Sequence, residues 1–125
     1  MTFLLIALGG AVGAPLRYLA DRAVQMRTDS VFPWGTLTVN VVGSFALGAL
    51  LGAAAGGGVP DDVVAAVGVG LCGAFTTYST FGYETVRLAA DGARGIATIN
   101  ALVGVAAGLA AAWLGVLLGG AAWPA

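Results

Sequence analysis

The chain has 125 residues, of which 59% are hydrophobic and only 9% are charged, and its net charge is −1. A soluble domain carries roughly 25% charged residues, so this composition excludes a water-facing surface, and no basic tract suggests a nucleic-acid partner. With no His and a single Cys, the chain offers neither an intrachain disulfide nor an ordinary zinc site, and an enzyme is the least favoured class.

The continuous apolar stretches predict an all-α integral membrane protein with four transmembrane helices in one domain, residues 1–125. A span needs about 20 apolar residues, and the stretches do not alternate as barrel strands do. The predicted spans are 3–19, 34–55, 62–86 and 96–118. The first lacks a charged n-region and a cleavage site, so it is expected to remain as a span rather than to be removed as a signal peptide.

Local signals mark the ends of these spans. Trp34 is placed as an interfacial anchor, and Gly57 and Pro60 lie in a segment that cannot continue a helix. Asp61 and Asp62 follow at a helix start, where the positive end of the dipole favours them. Cys72 is expected to be a small buried hydrophobe.

Small residues recur at a spacing of four on three spans, which predicts faces where helix backbones approach closely. Four thin helices bury little by themselves, so an oligomer is expected. The positions are Gly9 and Gly13, then Ser44, Gly48, Gly52 and Gly56, then Gly104 and Gly108.

Polar side chains inside a bilayer are costly, so their placement is informative. Thr36, Asn40 and Ser44 share one face of the second span, and Asn100 lies one turn before Gly104. The glycines are expected to leave room beside Asn100. Amides at these positions either hold helices together or line a pathway, and the residues alone leave both interpretations open.

Residues 73–81 (GAFTTYSTF) hold four hydroxyl residues in five positions, which a regular amphipathic helix does not explain. A break in the third helix at mid-membrane depth does explain them, provided that it is buried or lines a cavity. Carbonyls at such a break can coordinate a monovalent cation. The rings of Tyr78 and Phe81 could present positive edges to an anion, although core packing is the ordinary role of such rings.

No Asp, Glu or Lys lies at the centre of a span. A proton-coupled carrier usually needs such a carboxylate, so a passive pathway is favoured. A small multidrug-type exporter and a non-transporting structural membrane subunit remain as alternatives.

Three ordered segments together resemble the Fluc (CrcB) fluoride-channel family: GAVGAPLRY at 10–18, GTLTVNVVGSF at 35–45, and GAFTTYSTF at 73–81 followed by Glu84. The resemblance covers essentially the whole chain. It implies a fluoride-selective channel that exports the anion passively across the cell membrane. It also implies an antiparallel, dual-topology dimer with two pores, formed with a second copy or with an oppositely oriented homologue.

The resemblance further implies roles for individual residues. A structural Na⁺, which is not transported, would be held by backbone carbonyls of Gly73 and Thr76. Arg17 and Glu84 would be structural. The fluoride-contacting positions fall on Asn40, Tyr78, Ser79, Thr80, Phe81 and Asn100.

Two positions depart from the family pattern, and the arginines add a hypothesis about orientation. Tyr78 stands where Phe is usual, and Gly104 and Gly108 stand where hydroxyls are common. All five arginines lie towards the side of the one–two and three–four loops. By the positive-inside rule, that side is cytoplasmic, and the subunit is expected to prefer one orientation.

Overall fold

The computed structural model describes residues 2–28, 31–76 and 78–122, and for Tyr78 the backbone alone. Within these residues the fold is entirely helical, and four helical stretches are long and apolar enough to cross a membrane. They are α1 (Thr2–Gln25), α2 (Trp34–Ala55), a composite third stretch (Asp61–Ala90) and α6 (Arg94–Ala122). The prediction of an all-helical protein with four spans is confirmed.

The third stretch is composed of several pieces. It starts with α3 (Asp61–Val63), continues as a π-helical segment (Val64–Cys72), and ends its first half with α4 (Gly73–Phe75). The second half is α5 (Tyr78–Ala90). A π-helix widens the turn by one residue, is rare, and is frequently found at functional sites. No sequence pattern predicted it here.

The helix ends follow the local signals. α2 begins at Trp34 and stops at Ala55, after which Gly57 adopts φ +80°, a conformation that side chains with a Cβ rarely accept. Asp61 and Asp62 lie exposed in the first turn of the third stretch. In the connection between α1 and α2, the Gln25 side-chain oxygen accepts a hydrogen bond from the Gly35 amide at 3.2 Å. This bond ties the end of α1 to the start of α2.

The four stretches pack as two close pairs: α2 against α6, and α1 against the π-helical segment. In both pairs, glycines on one helix meet backbone atoms of the other. A Cβ on Gly48 would overlap the Ala112 carbonyl oxygen, and one on Gly115 would overlap the Phe45 carbonyl oxygen. Contact without a side chain between the backbones is the usual basis of tight packing in membranes.

The pairing of α1 with the π-helical segment uses the same principle. Gly9 faces the Ala66 carbonyl and Gly13 the Leu71 carbonyl, while Gly70 faces the Ile6 carbonyl from the other side. The predicted close approach at Gly9, Gly13, Gly48 and Gly52 is therefore confirmed. Gly115 and Gly119, which complete the pairing from α6, were missed by the sequence analysis.

Few side chains are buried in the interior, and most of the buried hydrophobic ones are small, whereas the exterior is strongly apolar. Val39, Cys72, Ala97 and Ala111 are among the buried hydrophobic residues, and the expectation that Cys72 is buried is confirmed. Large apolar side chains on all four stretches point outwards, among them Phe3, Leu8, Val69, Leu102, Leu109 and Leu117. Such a surface suits lipid as its solvent.

Candidate functional site

The buried polar residues of α2 lie on its inward face. Thr36 is 2% exposed, Asn40 5% and Ser44 9%, so the three residues predicted to share one face are all buried. They stand four apart, one above another along the helix. The apolar Val39 beside them is fully buried as well. This face of α2 thus holds three of the four buried polar side chains in the described part of the chain.

Glu84 on α5 reaches this face near its start. The Thr36 hydroxyl donates a hydrogen bond to the Glu84 carboxyl group, which joins α2 to α5 across the bundle. Glu84 also borders a cleft of about 260 Å³ with Val31, Arg87 and Asp91. The predicted structural residue thus has a buried partner on one side and an open polar cleft on the other.

Arg17 lies at a second, smaller cleft of about 160 Å³. Tyr18, Asp21, Val39 and Thr80 complete its lining. The Arg17 guanidinium donates hydrogen bonds and the Thr80 hydroxyl can donate one, whereas the Asp21 carboxylate in the same cleft only accepts them. The structure therefore brings two sequence-predicted positions, Arg17 and Thr80, to one place.

The backbone leaves the helical conformation at Thr76, which has φ −78° and ψ 152°. Its amide and its hydroxyl both donate to the Cys72 carbonyl at 3.0 Å. These two bonds complete the last helical turn before the backbone departs from the helix. Gly43 of α2 lies against the Thr76 side chain, because a Cβ at residue 43 would overlap Thr76 Cγ2. The absence of a side chain at Gly43 is what lets this segment lie close to α2.

The cation site implied by the family resemblance falls on the backbone carbonyls of Gly73 and Thr76. Gly73 is exposed in the single chain, and the nearest atom to a Cβ built there is the Gly68 carbonyl oxygen at 3.9 Å. Among the described residues, no three His, Cys, Asp or Glu side chains gather as a metal-binding group. A cation at Gly73 and Thr76 would thus depend on carbonyl oxygens, the donors that Na⁺ prefers. One chain supplies too few of them by itself.

The predicted fluoride-contacting residues of α5 occupy different surroundings. Ser79 is exposed in the single chain, Thr80 lines the Arg17 cleft, and Phe81 is half-buried against α6. The side chain of Tyr78 lies outside the described part of the structure, as does Thr77. The relation between the two predicted rings is therefore left as an expectation.

Asn100 on α6 is 2% exposed, and its partner is a residue that the sequence analysis missed. Its amide Nδ2 donates to the Thr85 hydroxyl at 2.8 Å, and that hydroxyl donates to the Phe81 carbonyl at 2.8 Å. Thr85 lies four residues after Phe81 on α5. No sequence signal marked Thr85 as this partner, because any helical Thr can bond the carbonyl four residues earlier.

The room expected beside Asn100 is not empty at Gly104. The ring of Phe81 occupies it: a Cβ on Gly104 would overlap Cε1 of that ring. Gly104 and Gly108 were predicted to leave room beside Asn100, and for Gly104 this prediction was wrong. Sequence could not assign the space, because the ring that fills it comes from another helix.

Comparison with known proteins matches residues 4–116 of the chain to the family model described as "CrcB-like protein, Camphor Resistance (CrcB)". The chain is 56% identical to a protein of Frankia casuarinae over 98% of this chain and 99% of the relative. It is 54% identical to one of Streptomyces avermitilis over the same shares. A Nocardia farcinica protein is 55% identical over 91% of this chain and 78% of the relative.

All three relatives carry the name "Fluoride-specific ion channel FluC 1". The family match spans nearly the full chain, and the four candidate spans agree with a multi-pass protein of the cell membrane. The ordered motifs at 10–18, 35–45 and 73–81 fall inside the matched region. The chain belongs to the CrcB family.

Proposed function

We propose that this protein is a fluoride-specific ion channel through which fluoride leaves the cell passively. The observation that carries the proposal is the 54–56% identity, over nearly the whole chain, to proteins named as fluoride-specific ion channels. The interior agrees chemically, since it presents amides and hydroxyls rather than a central carboxylate that a proton-coupled carrier would need. A negative cell interior would drive the anion outwards.

The fluoride path in this proposal follows the buried face of α2 and the start of α5. Asn40, Ser79 and Thr80 would donate hydrogen bonds, and Tyr78 and Phe81 would present ring edges. Donors and ring edges stabilise a small anion through several weak contacts, so the ion can still be released. Asn100 contributes in this proposal through its bond to Thr85.

The active form in this proposal is an antiparallel dimer. Ser79 and Gly73 are exposed in the single chain although they lie within a span, and polar groups exposed to lipid are costly. A second subunit would cover them. The two subunits together would also double the carbonyl oxygens from Gly73 and Thr76, which one chain supplies in too small a number to hold a structural Na⁺.

The test is fluoride efflux from liposomes that contain only this purified protein, with chloride efflux as the reference. Rapid fluoride release without chloride release is the expected result. Asn40→Leu should reduce fluoride efflux by about tenfold or more, because it removes a hydrogen-bond donor that the anion would use. Thr38→Val is the matched control, since the Thr38 hydroxyl bonds the Trp34 carbonyl of its own helix.

The dimer proposal has separate readouts. Cross-linking in lipid should give a two-chain species, and tags on the two termini should report which face each terminus occupies. Equal labelling on both membrane faces would contradict the orientation preference expected from the arginines. If the protein alone is silent but conducts after addition of an oppositely oriented homologue, the partner is a homologue rather than a second copy.

If the unmodified protein releases no fluoride, alone or with such a homologue, the channel proposal is wrong. A non-transporting role would then be the better account.

A further inference from the structure

The ring of Phe81 rests directly on Gly104 of α6. A Cβ at residue 104 would overlap Cε1 and would lie 2.9 Å from Cζ and 3.3 Å from Cδ1, and these are its three nearest atoms. All three belong to the one ring. The ring therefore fills the volume that any side chain at residue 104 would need.

The backbone of Phe81 is also linked to α6, through Asn100, which lies one turn before Gly104. Asn100 Nδ2 donates to Thr85 Oγ1, and Thr85 Oγ1 donates to the Phe81 carbonyl, each at 2.8 Å. A hydroxyl can accept one bond while it donates another, so this relay is chemically complete. Asn100 is 2% exposed, which leaves its amide little freedom to turn away.

We infer that Gly104 and the Asn100–Thr85 relay together form a seat for Phe81 that sets how far its ring projects into the fluoride path. The inference rests on the proposed function, in which this ring edge meets the permeating ion. Gly104 acts by shape and Asn100 through Thr85, so all three are positioning residues.

The physical reason lies in which atoms meet Gly104. At Gly48 and Gly115 an added Cβ would strike backbone carbonyls, so a larger residue there must separate the helices. At Gly104 it would strike the far end of a single side chain, which can rotate away. Gly104→Ala should therefore move the ring and leave the helix pairing intact.

The test measures the surroundings of the Phe81 ring and the fluoride efflux in separate experiments. para-Fluorophenylalanine placed at residue 81 alone reports the ring surroundings by its ¹⁹F resonance in the purified full-length protein. Fluoride efflux is measured on the same variants with ordinary Phe81. Gly95→Ala is the matched control, because a Cβ at Gly95, also on α6, meets nothing within 4 Å.

Gly104→Ala is expected to shift the ¹⁹F resonance and to lower fluoride efflux by about three- to tenfold, the fold-change for a ring forced off its preferred rotamer. Gly95→Ala should change neither. An unshifted resonance in Gly104→Ala would overturn the seat. A shifted resonance with unchanged efflux would overturn the claim that the seat controls permeation.

A second pair of variants tests the relay. Thr85→Val removes the hydroxyl at nearly constant shape and should shift the resonance and lower efflux, whereas Thr85→Ser keeps the hydroxyl and should restore both. Equal behaviour of Val and Ser would contradict the relay. The unmodified protein separates the two proposals: without fluoride efflux from it the proposed function fails, while the resonance still reports whether Gly104 seats the ring.

Discussion

Two adjacent glycines on α1 allow a direct test of the backbone contact between α1 and the π-helical segment. A Cβ on Gly9 would overlap the Ala66 carbonyl oxygen and lie 2.8 Å from the Leu71 amide nitrogen. A Cβ on Gly10 would meet only Ala74 Cβ and the Gly70 carbonyl oxygen, both at 3.9 Å, which is ordinary contact. Gly9→Ala should therefore destabilise the fold, and Gly10→Ala should not.

The two variants share one effect on the free energy of unfolding and differ in another. Both replace a helical Gly by Ala, which favours the helix by roughly 0.5–1 kcal/mol. Only Gly9→Ala adds an overlap with backbone atoms, which cannot rotate away, and overpacking of this kind costs about 1–3 kcal/mol. The difference between the variants is the overpacking alone, about a five- to 150-fold change in the unfolding equilibrium.

The measurement is the free energy of unfolding of each purified variant, obtained from denaturation in mixed detergent micelles. Because the glycines are neighbours on one helix, detergent effects and the gain in helix propensity cancel in the comparison. Two variants that agree within about 0.5 kcal/mol would refute the close approach of α1 to the π-helical segment. A larger loss of unfolding free energy for Gly10→Ala than for Gly9→Ala would mean that the contact lies on the face of α1 that carries Gly10.

Two further predictions use the buried polar and thiol groups. Thr36→Val should lower the free energy of unfolding by about 1–3 kcal/mol, because the partly buried Glu84 carboxyl group loses its hydrogen bond from Thr36. Thr38→Val should cost less than about 0.5 kcal/mol, and equal losses would contradict the assigned bond. Cys72 is 3% exposed, so a maleimide should label it at least about tenfold more slowly in native micelles than in denaturing detergent. Rapid labelling of the native protein would contradict its burial.

Much of the fold could be predicted from local sequence. Hydropathy along the chain is sufficient for the four spans, since a helix in lipid must satisfy its own backbone and present apolar side chains. The end of α2 near Gly57 and the acidic start at Asp61 are equally local. The shared face of Thr36, Asn40 and Ser44 followed from their spacing of four, and the structure adds that this face is buried.

The sequence suggested candidate residues for the site, but it did not predict which of them contact one another. The motifs named Asn40, Phe81 and Glu84, the pattern of the fourth span named Asn100, and the roles of all four stay predictions. These patterns could not locate Thr85 as the partner of Asn100, because a polar residue at a spacing of four along α5 resembles an ordinary helical Thr.

The amino-acid sequence by itself determined that this is a four-span membrane protein whose helices carry small and polar faces, because hydropathy and helical period act over neighbouring residues. Only the tertiary structure decided which faces meet: Gly9 with Ala66, Gly48 with Ala112, and Gly104 with the ring of Phe81. These pairings depend on the rotation and depth of each helix, and the π-helical segment changes the rotation within the third stretch. No local pattern encodes that rotation, since it is set by how closely two backbones can approach.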